Sequence, residues 1–269
     1  MNGDNELEPV NLLLSREELR LVLNSLETDF IPGLDAEPLG ELTSDQDGLV
    51  LTVAGRALRA RELARPEEDG ELAFHNALLT MVGVCAYSEN VIFAYHWPPN
   101  QIIPRRYFGH IRGEDIVAHT RPEDVLHLFS LLPSKAQLID QVLTACEFEE
   151  RPSSGPFEFS LSSDTFASVR ELAGNGEADK AIDLLVENDT PLETAKAFVA
   201  TLSDSPSTSI LQTVKQPGDG TVQKRDFTLL QNSRQTWLGL AAIGEAENGL
   251  VRIKTTTRDE LQARLAEWL

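Results

Sequence analysis

The chain carries the same order of predicted elements twice, and this repetition constrains its fold more than any other feature. Residues 120–132, TRPEDVLHLFSLL, and residues 257–269, TRDELQARLAEWL, share Thr, Arg, Glu and two Leu at the same relative positions. In both segments a Thr is followed three residues later by a Glu, which is the pattern of a capping box at a helix N-terminus. Apolar residues then recur at helical spacing, so both segments are predicted to be helices.

The elements that precede these two segments also correspond. Each half opens with Leu-Ser and an amphipathic helix and continues to a further helix, a strand and a hairpin. The pairs of segments are 14–23 with 161–170, 71–88 with 190–203, 91–97 with 209–215, and 107–120 with 237–255. We therefore predict two halves of one compact domain, residues 1–148 and 149–269, with the same element order and pseudo-two-fold symmetry.

Helices and paired strands in this order predict a mixed α/β (α+β) fold. The sheet is expected to be central and largely antiparallel, because its strands are joined by hairpins, with helical bundles on its flanks. A hydrophobic content of 41% and a charged content of 25% are ordinary for a soluble globular protein. No apolar run approaches eighteen residues, so no membrane span is expected. Cys85 and Cys146 are predicted to be buried thiols in a reducing cytoplasm.

Charge limits the partners that this chain can have. It contains 43 acidic and 23 basic residues, a formal net charge of −20, which repels phosphate backbones and anionic lipid. We therefore predict no nucleic-acid partner. The alternative is a DNA-binding transcriptional regulator that uses the Arg56–Arg65 helix, which is predicted to begin at Thr43 and Gln46. This helix carries four arginines, Arg56, Arg59, Arg61 and Arg65.

Sequence motifs of catalysis are absent: the chain has no GxGxxG, P-loop, GxSxG, HExxH or CxxC pattern. Four of the five histidines lie close together in the sequence, and strand pairing can bring imidazoles into contact, which keeps an enzyme or metal site as a third alternative. These histidines are His96, His110, His119 and His127. Their spacing matches no known ligand pattern. We therefore predict no catalytic residue, no metal and no cofactor.

Two connections between strands are the predicted partner-binding segments. Residues 98–106, PPNQIIPRR, contain three prolines, and residues 216–236 are longer than a hairpin turn requires. Loops held on a rigid sheet are where binding residues concentrate. The predicted contact residues are Trp97, Pro98 and Pro99 at the first connection and Phe227, Leu229 and Leu230 at the second. The alternative for the second connection is that RDFTLLQ adds a strand to the sheet.

The arrangement resembles the EspG-type ESX (type VII) secretion-associated chaperones over most of the chain. The likeness begins with the capped helix LSREELRLVL and the segment FIPGLDAEPLG that follows it. It continues through RALRARELARPE and the acidic DGEL, and it ends with the strand LVRIKT and the helix RDELQARLAEWL.

This resemblance implies a central sheet, helical bundles at either end, quasi-two-fold symmetry and no catalytic activity. Members of the family bind PE–PPE protein pairs in the cytosol and keep them soluble until export. The resemblance places the partner surface on sheet loops and on the C-terminal helical region. We therefore predict a non-enzymatic cytoplasmic protein, a chaperone or adaptor of a secretion system that holds a helical, aggregation-prone partner.

Overall fold

A computed structural model describes residues 11–35, 40, 42–68, 70–151, 155–216, 221–241 and 249–269. Within these ranges the chain forms twelve strands and eight helices. In chain order they are β1 Asn11–Ser15, α1 Arg16–Ser25, α2 Ser44–Ala60, β2 Ala64–Pro66, β3 Leu72–Phe74, α3 Asn76–Ala86, β4 Asn90–Trp97, β5 Arg105–Arg112, β6 Asp115–Glu123, β7 Leu126–Leu132, α4 Lys135–Ala145, β8 Glu158–Ser162, α5 Ser163–Gly174, α6 Ala178–Glu187, α7 Leu192–Ser203, β9 Ser207–Lys215, β10 Gln223–Gln231, β11 Thr236–Ala241, β12 Leu250–Thr255 and α8 Arg258–Trp268.

The first compact unit contains the residues up to 91 together with 107–138. Its main strands lie in the order β1-β7-β6-β5, and each neighbouring pair is antiparallel. Helices α1, α2 and α3 pack on one face of these strands through buried apolar side chains, among them Leu14, Leu19, Leu58, Val82 and Phe129. Apolar residues at the helical period on α1 and at the strand period on β1 and β7 produce this packing.

The second unit contains residues 92–106 and 139–269. Its strands lie in the order β4-β9-β10-β11-β12-β8, and the four pairs from β9 to β8 are antiparallel. Helices α5, α6 and α7 cover one face of these strands, and aromatic side chains dominate the core between them. This core includes Phe159, Val169, Leu185, Phe198, Trp237 and Ile253.

The mixed α/β class with an antiparallel sheet and flanking helices is confirmed. Apart from the short hairpin β2–β3, the order from β1 to α4 is repeated from β8 to α8. The pairing repeats as well, because the first strand of each series lies beside the last, β1 beside β7 and β8 beside β12. The predicted symmetry and the division at residue 148 stay predictions.

The segment 120–132 is not the predicted helix. Strand β6 continues to Glu123, and 126–132 is strand β7, which pairs with β6 and with β1. The capping pattern at Thr120 was therefore misleading, because burial along β7 alternates with the period of a strand. The helix that follows this strand is α4, which occupies the place that α8 has in the second series. The cap at Thr257 is confirmed, since its side chain accepts the Glu260 backbone N–H.

Among the helices that the structure describes, none combines the length and apolarity that crossing a bilayer requires.

Candidate partner-binding surface

The connection between β4 and β5, residues 98–104, is held against the end of β4. The indole Nε1 of Trp97 donates to the carbonyl oxygen of Ile102 at 3.2 Å. The Gln101 backbone N–H donates to the carbonyl of Pro98 at 3.1 Å, and Asn100 has a φ of 62°, a left-handed conformation that asparagine tolerates well. The loop therefore has its own internal hydrogen bonds, and the Trp97 side chain holds it through the hydrogen bond to Ile102.

The tip of this loop exposes two adjacent large apolar side chains. Ile102 is 92% exposed and Ile103 is 77% exposed, the two highest values among the large hydrophobic residues that the structure describes. Burying two isoleucines against a partner removes apolar surface from water and stabilises a complex by roughly 1.5–3 kcal/mol per side chain. An exposed apolar pair on a held, Pro-flanked loop is typical of a protein-contact surface.

Ion pairs and hydrogen bonds fix the strand that carries this loop. His96, buried on β4, approaches the Ser209 hydroxyl of β9 through Nδ1 at 2.9 Å and Glu147 through Nε2 at 3.4 Å. Arg105, at the start of β5, pairs with the same Glu147 carboxylate. Burial is the main cause that lowers the pKa of His96, and the nearby Glu147 opposes it. The start of β5 is therefore tied to Glu147 by an ion pair, whereas the end of β4 is held by the contact of His96 with Ser209 and only approaches Glu147.

The three contact residues predicted at the first connection differ in their exposure to solvent. Trp97 is half-buried, Pro98 is buried and Pro99 is exposed. Of the three, only Pro99 is exposed to a partner, and the other two position the loop. Sequence analysis did not select Ile102 and Ile103, although two adjacent isoleucines between polar residues and proline were a visible signal.

The residues predicted at the second connection lie elsewhere than expected. Phe227, Leu229 and Leu230 are buried in strand β10, which pairs with β9 and β11. This corrects the expectation of a long loop, because RDFTLLQ adds a strand to the sheet, the alternative given above. Side chains in this position are occupied by core packing. Residues 217–220 of the same connection lie outside the described residues.

A second apolar feature of this unit is a cavity of about 130 Å³ between α5 and strands β10–β12. Its lining is mainly apolar and includes two polar residues, Asp226 and Thr228; the others are Phe166, Leu230, Trp237, Gly239, Val251 and Ile253. A Cβ at Gly239 would lie 3.6 Å from Thr228 Cβ, an ordinary contact, so glycine leaves space that a side chain could fill. A dry apolar cavity of ~150 Å³ accepts a benzene-sized group.

The other histidines form a buried group in the first unit. The His119 and His127 rings approach within 2.9 Å through Nε2 and Nδ1, and the centroids of the His110 and His119 rings lie 6.0 Å apart. Burial lowers the pKa of His110 to about 3 and that of His127 to about 4, and it lowers the pKa of His119 strongly. These imidazoles are therefore neutral at pH 7. No set of three His, Cys, Asp or Glu side chains in the described ranges has the arrangement of a metal site.

The four arginines predicted for one helix are divided by the structure. The capping box of Thr43 and Gln46 is confirmed, and α2 carries Arg56 and Arg59 on its exposed side. Arg61 lies after the last helical residue and donates to the Glu18 carboxylate at 3.0 Å and to the Leu13 carbonyl at 2.6 Å. Arg65 belongs to β2. A continuous four-arginine helix face, on which the DNA-binding alternative depended, is therefore not formed.

Comparison with known proteins relates the fold to that of secretion chaperones. The structure of the Mycobacterium tuberculosis type VII secretion system chaperone EspG5 in complex with a PE25–PPE41 dimer matches with a TM-score of 0.69 at 10% sequence identity. The match covers 96% of this chain and 95% of that chain. This chain therefore has an EspG-like fold, as the sequence resemblance implied. Neither a protein-family model nor a curated protein sequence matches the chain.

Proposed function

We propose that this chain is a non-enzymatic, cytoplasmic binding protein that acts as a chaperone or adaptor of a protein secretion system. The observation that carries the proposal is the fold shared with a type VII secretion chaperone over nearly the whole length of both chains. The match extends over 96% of this chain, so a binding role supported by the whole fold is favoured over chemistry at one cluster of residues. The buried, neutral histidines offer no accessible acid or base.

The partner in this proposal is a helical protein with exposed apolar residues, of the PE–PPE kind. EspG5 is bound to a PE25–PPE41 dimer in the matched structure. In this chain, the loop 98–104 offers Ile102 and Ile103, and the cavity beneath Phe166 accepts one apolar side chain from the partner. The net charge of −20 keeps such a complex soluble at high concentration.

Affinity capture from the native host, followed by mass spectrometry, identifies the partner, and purified components then give its dissociation constant. The double variant Ile102→Ser, Ile103→Ser is expected to weaken binding at least tenfold, because about 1.4 kcal/mol of lost apolar burial already has that effect. Both side chains are exposed, so the melting temperature stays unchanged.

The matched control is Leu49→Ser, Val53→Ser, which removes two exposed apolar side chains from α2, where Leu49 is 65% and Val53 is 54% exposed. This variant is expected to bind the partner normally. Equal affinity of the loop variant and the unmodified chain would move the contact surface away from 98–104. Capture of no secreted helical protein at all would remove the chaperone proposal.

Filling the second-unit cavity tests the second proposed contact. Gly239→Val adds a side chain that the strand tolerates well and that points into the space beside Phe166 and Trp237. The fold is expected to persist with a partner affinity reduced severalfold. Unchanged affinity in this variant would restrict the contact to the loop.

A further inference from the structure

A larger cavity lies in the first unit, where the end of α2 meets the hairpin β2–β3 and the start of α3. Its volume is about 490 Å³, within the usual range for small-molecule sites. Ala64, Ala73 and Phe74 give it an apolar floor, and the side chains of Arg59, Arg65 and His75 also line it. None of these residues takes part in the proposed partner surface.

Local sequence explains why the cavity forms. The chain leaves α2 at Glu62, whose φ of 60° is a left-handed conformation that turns the backbone sharply. The β2–β3 hairpin follows, with Ala64 opposite Phe74, and the His75 backbone N–H then donates to the Leu63 carbonyl at 2.9 Å. These contacts fix the distance between the end of α2 and the hairpin. Residues at the end of α2 line one side of the cavity, and residues of the hairpin line the other.

The donors in this cavity are already oriented. His75 caps α3, and its Nδ1 accepts the Ala77 backbone N–H at 3.2 Å. A neutral His75 ring therefore carries its proton on Nε2, which leaves one N–H donor on the side of the ring away from the helix. The Asn76 side chain also lines the cavity. With the guanidinium groups of Arg59 and Arg65, the cavity offers several donors around an apolar floor.

Neither Arg59 nor Arg65 forms an ion pair among the described residues, although the carboxylate of Glu62 lines the same cavity. Acidic residues outnumber basic ones by 43 to 23, and arginines such as Arg20, Arg61 and Arg121 are paired with carboxylates. Within the ranges that the structure describes, no hydrogen bond or ion pair involves the guanidinium of Arg59 or Arg65. With two guanidinium groups and the single carboxylate of Glu62, the lining of this cavity has a net positive charge on an otherwise acidic protein.

We infer that this cavity binds a small organic anion, a carboxylate or phosphate attached to a flat apolar body. Guanidinium groups bind either anion through paired, charge-assisted hydrogen bonds. The ring of Phe74 and the methyl groups of Ala64 and Ala73 contact the apolar body. Glu62, which also lines the cavity, limits the negative charge that the site accepts. The site is separate from the proposed chaperone surface and does not depend on it.

Titration with phenyl phosphate and with benzoate tests the inference, with benzyl alcohol as the neutral analogue. Amide signals of residues 59–76 in NMR spectra of the full chain are expected to shift saturably with one or both anions. Arg59→Gln and Arg65→Gln each weaken binding roughly tenfold, since each removes a charged donor pair. Glu62→Gln strengthens it severalfold, because it removes the opposing charge.

Arg56→Gln is the matched control, since it makes the same charge change on the same helix at an exposed residue that does not line the cavity. It is expected to leave anion affinity unchanged. A loss in Arg56→Gln equal to that in Arg59→Gln would show general charge attraction and overturn the inference. Equal binding of benzyl alcohol, or the absence of saturable shifts with both anions, would overturn it as well. Binding of only one of the two anions identifies the headgroup and supports the site.

Discussion

The strand order β1-β7-β6-β5 of the first unit corresponds to β8-β12-β11-β10 in the second, and three helices cover each set, but the sheet faces beneath those helices differ in chemistry. In the first unit, strands β6 and β7 place His119, His127 and Phe129 on the covered face. In the second unit, the corresponding strands β11 and β12 carry Trp237 and Ile253. Topology is therefore repeated, whereas side-chain chemistry is not.

The cores of the two units therefore differ in their chemical properties. The first unit has a core with titratable groups, because neutral imidazoles are buried under α1–α3. The second unit has a core of aromatic and aliphatic side chains with an unfilled space at Gly239. The first unit therefore has a core whose stability depends on pH, and the second unit has an apolar cavity.

Trp237→Ala gives the largest expected effect on stability. Its indole is fully buried, contacts Phe198 edge-on with ring centroids 5.0 Å apart, and donates through Nε1 to Thr201 at 3.0 Å. Removing it should lower the free energy of unfolding by about 3–5 kcal/mol, measured by chemical denaturation. Trp97→Ala, at a half-buried position at the end of β4, is the control with a smaller loss. Equal losses would mean that the aromatic core of the second unit is not its main source of stability.

Acidification gives the next effect, and it should be largest in the first unit, which contains His110, His119 and His127, whereas the second unit has one buried histidine, His96 on β4. Burial lowers the pKa of His110 to about 3, and burial together with the nearby Arg121 and Arg16 lowers the pKa of His127 to about 4. The unfolded chain takes up these protons from about pH 6.5. Stability is therefore complete above pH 6.5 and falls as the pH decreases, by about 1.4 kcal/mol per pH unit for each histidine.

Hydrogen exchange at pH 7 and pH 5, corrected for intrinsic rates, compares the two units directly. Protection of β6 and β7 amides should fall at pH 5, whereas that of β11 and β12 should change little. His119→Phe removes one titrating ring from a position between Phe108 and Phe129, and should reduce the pH dependence. Equal loss of protection in both units would contradict the assignment of the pH response to the histidines.

Alanine substitution at the buried histidines should lower the stability of the first unit. If they were surface residues of the sheet, His110→Ala with His119→Ala would leave stability almost unchanged. Both rings are fully enclosed. The double variant should therefore create a cavity and lower the free energy of unfolding by about 2–5 kcal/mol, as measured in urea at pH 7. An unaltered unfolding midpoint would show that the surrounding helices close the space.

Sequence alone predicted what depends on local contacts. The capping box at Thr43, the helix cap at Thr257 and the strand-helix order around them need only neighbouring residues, and the structure has them. The helix predicted at 121–132 failed for the opposite reason. Strand β7 is fixed by pairing with β1, more than a hundred residues away, and no local pattern contains that contact.

The candidate site shows the same limit. Three prolines identified 98–106 as a loop, but the exposure of Ile102 depends on what packs against the loop from elsewhere in the fold. For the same reason Phe227 was placed in a loop, although pairing of β10 on both edges buries it. Apolar sequence does not distinguish a contact surface from a core strand, and tertiary packing decides between them.

The smallest effect tests whether the repetition extends to single hydrogen bonds. Each series begins with a strand, a serine cap and a helix: the Ser15 hydroxyl accepts the Glu18 backbone N–H at 3.2 Å, and the Ser162 hydroxyl accepts that of Thr165 at 3.0 Å. Ser15→Ala and Ser162→Ala should each lower the free energy of unfolding by about 1 kcal/mol, the usual cost of losing a side-chain cap. In the first unit, Glu18 also accepts the Ser15 backbone N–H at 2.8 Å, and this bond survives the substitution. Urea denaturation of the two variants at pH 7 provides the measurement. A loss in only one of them would mean that the two helix starts share sequence and geometry but not energetics.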